Sequence, residues 1–255
     1  MENKRPLILI SNDDGFQAKG INELIRYVSD LGDIVVMAPD GPRSGQSSAI
    51  TVHDPVRYQL VKRVPGLTIY KCSGTPTDCI KLSKMTVLER KPDLLLSGIN
   101  HGENAGINAI YSGTMGAVIE GCLNSIPSIG FSVDNHSLDA DFEHCAETIR
   151  KIIRKTLQEG LPQNICLNVN FPAGGEIKGV KICRQTKGVW GHEWEKQTHP
   201  RGFDFFWLTG DFENKEPECE DTDNWAFHNG YASITPTSVD LTAYEMIDKL
   251  KAWNL

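Results

Sequence analysis

Leu7-Ile8-Leu9-Ile10-Ser11-Asn12-Asp13-Asp14-Gly15 is the stretch from which the fold of this chain can be read. Four apolar residues in a row, without alternation, predict a strand covered on both faces, as in parallel sheets. After a polar loop, Ile21, Leu24, Ile25, Val28 and Leu31 recur at helical spacing and Gly32 stops the helix. Ile34-Val35-Val36-Met37-Ala38 is a second buried strand, ended by Pro39. Together they make one βαβ unit, whose crossover is expected to be right-handed. The alternation resumes with strand 94–97, helix 113–124, strand 126–133, helix 139–157 and strand 165–170. Residues 50–73 carry Thr51-Val52, Val56-Arg57-Tyr58 and Thr68-Ile69-Tyr70 and look like an inserted β element.

The expected fold is α/β: a Rossmann-like, doubly wound, mostly parallel sheet with a C-terminal β-hairpin arm and a terminal helix. Residues 1–185 form the α/β catalytic core in this reading. Residues 186–230 hold Trp190, Trp194, Trp207 and Trp225 among many charges and show no helical period. They read as an extended hairpin arm for oligomerisation, the alternative being an arm folded back on its own domain. Residues 231–255 supply a strand at 231–235 and a helix at 243–253.

Composition narrows the function classes. The chain has 255 residues, 40% of them hydrophobic, with 23 glycines, which excludes long disorder and collagen-like repetition. A net charge of −7 without a long basic run argues against binding to a nucleic acid duplex. The four apolar residues after Pro6 are too few for a secretory signal, and no run approaches the roughly 20 residues that span a bilayer. Seven scattered cysteines, without close-spaced pairs of metal-ligand type, read as reduced thiols. The expectation is a soluble cytoplasmic protein with no membrane partner.

In open parallel sheets, ligands bind beyond the carboxyl ends of the strands. The segments there are Asn12-Asp13-Asp14-Gly15, then Pro39 to Gly45, then Gly98 to Asn104. These are three polar, glycine-bearing loops on one sheet edge, a combination that packing does not require. Asp13 and Asp14 are adjacent acids that repel each other in a cleft, and a hard divalent cation removes that cost. Ser44 and Asn100 supply neutral oxygens of matching hardness. The plainer alternative is that one acid caps the following turn. Tyr111-Ser112-Gly113-Thr114 opens a helix whose free backbone N–H groups form a natural anion seat, with Ser112 and Thr114 adding hydroxyls; the alternative is an ordinary cap. Gly74-Thr75-Pro76-Thr77-Asp78-Cys79 opens another helix and reads equally as a cap or as a pocket wall.

These segments, with Tyr231-Ala232-Ser233-Ile234-Thr235-Pro236 and Asp240-Leu241-Thr242-Ala243, occur in the order found in the SurE survival-protein family, which the chain resembles over nearly its whole length. The resemblance implies a divalent-metal-dependent phosphatase acting on nucleoside 5′- and 3′-monophosphates, in some members also on short polyphosphate. It implies metal ligation by Asp13, Asp14, Ser44 and Asn100, with Mg²⁺ or Mn²⁺ as cofactor and Ca²⁺ as another occupant. It also implies a homodimer or homotetramer with exchanged C-terminal segments. The family more often has valine and alanine where Met115 and Gly116 stand, and His101 and Glu103 occupy positions where it varies.

Hydrolysis would proceed by metal-assisted attack of water, with Asp13 or Asp14 orienting that water. Ser112, the Gly113 N–H and Thr114 would hold phosphoryl oxygens, with help from Asn104. An aspartyl-phosphate route needs a second acid two positions after Asp13, where Gly15 stands. A dinucleotide-binding fingerprint is missing after the first strand. A metal-dependent nucleotide-binding module without turnover, and an interaction protein built around the aromatic arm, are the competing readings.

Overall fold

A computed structural model describes residues 5–137 and 139–253 of the chain. The sequence readings that touch residues 1–4, 254 and 255 lie outside the described residues. The opening apolar run is β1 (Leu7–Ser11), and α1 (Lys19–Val28) returns the chain to β2 (Asp33–Pro39), which lies parallel to β1. The inserted β element is a hairpin, β3 (Tyr58–Val64) and β4 (Leu67–Cys72), joined edge-on to β2. Helix α2 (Pro76–Thr86) follows and leads to β5 (Leu94–His101), which pairs with the other side of β1. A single turn, α3 (Asn108–Tyr111), precedes α4 (Gly113–Leu123), β6 (Ser128–Val133), α5 (Ala146–Glu159) and β7 (Ile165–Phe171). The remainder is β8 (Val180–Ile182), the arm strands β9 (Gly188–Gly191), β10 (Trp194–Thr198), β11 (Asp204–Leu208) and β12 (Asp211–Asn214), then α6 (Asp223–His228), β13 (Ala232–Ser238) and α7 (Tyr244–Lys251).

Nine strands form one sheet in the order β3-β4-β2-β1-β5-β6-β7-β13-β8. The run from β4 to β7 is parallel, β3 and β13 are antiparallel to their inner neighbours, and β8 is parallel to β13. The order reverses between β1 and β5, so the loops leaving their carboxyl ends diverge and open a crevice there. Alternation along β1 divides the core. Ile8 and Ile10 join Leu24, Val36, Phe131, Ile149 and Val169 on the side of α1 and α5. Leu9 joins Ile80, Leu95, Met115 and Val118 on the side of α2 and α4. Helices on both faces make the sheet doubly wound, as the sequence predicts.

The differences lie at element ends and in the arm. The helix expected over 139–157 starts as α5 at Ala146, after a one-turn 3₁₀ segment at Glu143–Cys145. Asp141 Oδ1 accepts the Glu143 N–H at 2.9 Å and Phe142 is buried, which fixes a turn where helical propensity alone would continue. Within 186–230, β9 pairs with β12 and β10 with β11 in one ribbon. His192 and Gly210 adopt left-handed φ values of 51° and 120° where the two ladders meet. Helix α6 sits in that same stretch but returns to the core, with Asp223 fully buried. Its six residues are too few to impose a visible period on the sequence. Among the described residues no helix is long and apolar enough to cross a membrane.

Helix α1 approaches β5 through Gly20, where a Cβ would stand 1.9 Å from the carbonyl oxygen of Ile99. Gly20→Ala is expected to lower unfolding free energy by about 2–3 kcal/mol, the usual cost of forcing extra volume against fixed backbone. Equilibrium urea denaturation measures it.

Candidate active site

Three loops at the strand-order reversal are tied together by backbone and amide hydrogen bonds. Asn12 is buried and its Nδ2 donates to Gly15 O at 2.9 Å, curling the loop behind β1. Gly15 has φ of 99°, and its absent side chain lets Gly41 of the second loop lie against it. The Arg43 N–H donates to Asp13 O at 2.7 Å, which brings Ser44 to the end of β1. The third loop is joined by His101, whose Nδ1 lies 3.1 Å from Asp14 Oδ2.

A cavity of about 560 Å³ lies at this junction. Asp13, Ser44, Asn100, Asn104 and Ser112 line it. Asp14, Gly113 and Thr114 adjoin these lining residues: Asp14 Oδ2 faces His101, Gly113 packs against Asp13, and Thr114 Oγ1 donates to Asp13 Oδ1. The segment 74–79 does not reach the cavity. Thr75 and Asp78 form a capping box at the start of α2, which accounts for those residues.

Asp13 is only 4% exposed. Burial, then the neighbouring charge of Asp14, push its carboxyl up to about 6 against the pull of the Thr114 hydroxyl. At the start of α4, Ser112 Oγ accepts the Met115 N–H at 3.1 Å, so the hydroxyl caps the helix and keeps its own proton to donate. The remaining N–H groups of the first turn are those for which the sequence suggests an anion seat. The Thr114 hydroxyl proton, by contrast, is committed to Asp13.

The donor set suits a hard cation: two carboxylates, a hydroxyl and an amide, all of them oxygen ligands. Asn100 donates its Nδ2 to Gly102 O at 2.8 Å, which leaves Oδ1 as the end without a protein donor among the described residues. A positive ion would also offset the burial and the Asp14 charge that together lift the Asp13 carboxyl. Among the described residues, no group of three or more His, Cys, Asp or Glu is arranged as a metal site, so an ion here would depend on the neutral oxygens as well as the acid pair.

Several supporting residues escape a reading by loops alone. Asn104 Nδ2 donates to Ser132 Oγ at 2.8 Å, and its backbone N–H donates to Asn170 Oδ1 at 2.7 Å. Asn168 Nδ2 donates to Asn104 O at 2.7 Å, and Asn170 Nδ2 to Asn168 Oδ1 at 3.1 Å. The clue available in the sequence was two asparagines, Asn168 and Asn170, inside an otherwise buried strand. Asp223 accepts from Gly106 N, Thr186 N and Thr186 Oγ1, joining the third loop to the base of the arm. The arm itself reaches the cavity through Trp190, Glu193, Leu208 and Thr209.

A reversal-point cleft with an acid pair and a capped helix N-terminus defines a doubly wound α/β protein built to hold a small polar ligand. The sequence matches the family described as Survival protein SurE over residues 8–192. It is 60% identical over 255 residues to the 5′-nucleotidase SurE of Bacteroides fragilis, covering 100% of both chains. It is 57% identical over 255 residues to the 5′-nucleotidase SurE of Phocaeicola vulgatus, covering 100% of this chain and 99% of the relative. The crystal structure of the SurE protein from Aquifex aeolicus has a TM-score of 0.84 at 39% identity and covers 98% of this chain and 100% of that one. The chain belongs to the SurE family.

The buried asparagines make a test of the site's support. Asn170→Ala removes the acceptor for the Asn104 N–H and is expected to cost about 1–3 kcal/mol, the penalty for an orphaned buried donor. Chemical denaturation reads that loss.

Proposed function

We propose that this chain is a divalent-metal-dependent phosphatase that releases phosphate from nucleoside 5′-monophosphates, and from 3′-monophosphates, by attack of water. Nucleotidase activity rests on family membership and on full-length relatives named 5′-nucleotidase SurE. The observation that carries the site assignment is that Asp13 and the start of α4 meet at one cavity.

Asp13, Asp14, Ser44 and Asn100 would hold the ion, which supplies charge neutralisation at the phosphoryl oxygens and acidifies a water. Asp13 lines the cavity, which supports it over Asp14 as the acid that orients the attacking water. Thr114 acts through Asp13 by fixing its carboxylate with a hydroxyl hydrogen bond. The Ser112 hydroxyl and the Gly113 N–H would donate to the non-bridging oxygens, with help from Asn104, which lines the same cavity as Ser112. Catalysis of this kind is positioning and charge stabilisation, which suits a site without a covalent nucleophile.

The arm and α7 support assembly as a homodimer or homotetramer with exchanged C-terminal segments. Trp194, Phe206, Trp207 and Leu208 are exposed on a two-stranded ribbon that has no second layer among the described residues. Tyr244, Met246, Ile247 and Leu250 of α7 are exposed as well. An unsupported ribbon is marginal in water, and a second copy covering it supplies what its own core does not. The cysteines, unpaired in the structure and mostly buried, fit a reducing cytoplasm.

Three outcomes are expected. Phosphate release from a panel of nucleoside monophosphates stops with chelator and returns with Mg²⁺ or Mn²⁺; full activity in chelator would remove the metal from the proposal, and binding without release would favour a nucleotide-binding module. Asp13→Asn lowers kcat by roughly 10²-fold or more while the circular dichroism spectrum is retained. Replacing residues 193–209 by a short glycine linker reduces the mass measured by light scattering to that of a monomer.

A further inference from the structure

The proposed function places Asp14 on the ion without saying what holds its carboxylate there. Asp14 sits in the loop after β1, and the side chain that meets it is His101, the last residue of β5. His101 contributes twice to the same atom. Its backbone N–H donates to Asp14 Oδ2 at 3.3 Å, and its ring Nδ1 lies 3.1 Å from that oxygen. An ionised carboxylate only accepts, so the hydrogen of the ring contact is assigned to Nδ1. The ring is itself held in place. It stands edge-on to the buried Phe142, with centroids 5.1 Å apart and planes at 83°. Its Nε2 is buried and has no partner among the described residues. The one hydrogen bond this imidazole makes there is therefore the one to Asp14.

Both donors fall on Oδ2, which leaves Asp14 Oδ1 as the oxygen without a protein donor among the described residues. An oxygen in that condition is a ready ligand for a hard cation. The opposing tendency is also present. Adjacent carboxylates repel each other, and the Asp14 side chain is 20% exposed, so an unrestrained carboxylate would turn toward water and away from Asp13. The ring resists that rotation before any ion arrives. Asp13 receives comparable help from the Thr114 hydroxyl, so each acid of the pair is steadied by a side chain from a different part of the chain. Outer partners of this kind set ligand orientation at metal sites, and their loss typically weakens binding.

We infer that His101 is a positioning residue for the ion site: its Nδ1–H holds Asp14 Oδ2 and so presents Asp14 Oδ1 to the divalent cation. This inference rests on the metal-dependent reading above. The test measures Mn²⁺ affinity of the full-length protein, free of substrate, by isothermal titration calorimetry. The thermal unfolding midpoint of the metal-free protein is recorded beside it. His101→Phe keeps a flat ring against Phe142 and removes the donor, and its Kd for Mn²⁺ is expected to rise about tenfold or more. His101→Asn gives up the ring but places an amide N–H where Nδ1 stood, and its Kd is expected to stay within about threefold of wild type. The midpoint should order the two variants the other way, since asparagine forfeits the packing on Phe142. A purely structural role would make affinity follow the midpoint. Wild-type affinity in His101→Phe overturns the inference, and so does equal weakening in both variants. If wild type binds no Mn²⁺, the metal-dependent reading itself fails, a result distinct from either of those.

Discussion

Asp13 is a carboxylate taken almost out of water at the end of a central strand, and the surroundings have to compensate it. Much of the local sequence follows from that one requirement. The Thr114 hydroxyl donates to it, and the first turn of α4 points its positive end toward it. Gly113 lets that helix come close: a Cβ there would fall 2.8 Å from Asp13 Cβ and 3.0 Å from Oδ2. The Asp13 carbonyl is tied to Arg43, so the acid and the Ser44 loop form one unit. A carboxylate raised to about 6 despite this support is a group whose charged form still lacks a partner.

Around that acid, the third loop is held from below rather than by its own turn. The Asn104, Ser132, Asn168 and Asn170 network is buried and continuous, so displacing any member leaves another polar group unpaired in a dry setting. Asp223 performs the same service for Gly106 and Thr186, which places the base of the arm and the floor of the loop on a single carboxylate. At the surface, Arg184 pairs with both Glu216 and Asp221 beside that anchor. The arm thus leaves the core from a fixed base, although its outer strands touch little of it.

Much of the architecture was legible because burial on both faces writes itself into consecutive apolar residues. The strands at 7–11, 34–38 and 94–97 are of this kind, and naming them located the loops that build the crevice. The elements that escaped are those whose signal is short or distant. Helix α6 has too few residues for a period, and the start of α5 is set by the Asp141 side chain rather than by propensity. Asp13, Ser44, Asn100 and Asn104 were readable as loop polars and do share the cavity. That Thr114 would spend its hydroxyl on Asp13 needs the helix docked against β1, 101 positions away in the chain. His101 looks like an ordinary polar residue until its ring meets Asp14, 87 positions earlier in the chain. Contacts of such separation have no local pattern.

The arm is one ribbon in which side chains alternate between faces, and Trp190 reaches the cavity only because β9 holds its register with β12, Trp190 opposite Phe212. Inserting a single residue into β9 would turn the indole to the other side and break the 2.7 Å hydrogen bond from its Nε1 to Asn108 Oδ1. Change of length in this ribbon is therefore confined to steps of two within the strand or to the outer tip, where the turn between β10 and β11 can grow freely. Such a rule shapes which descendants of this sequence keep a formed pocket, independently of how their surfaces drift.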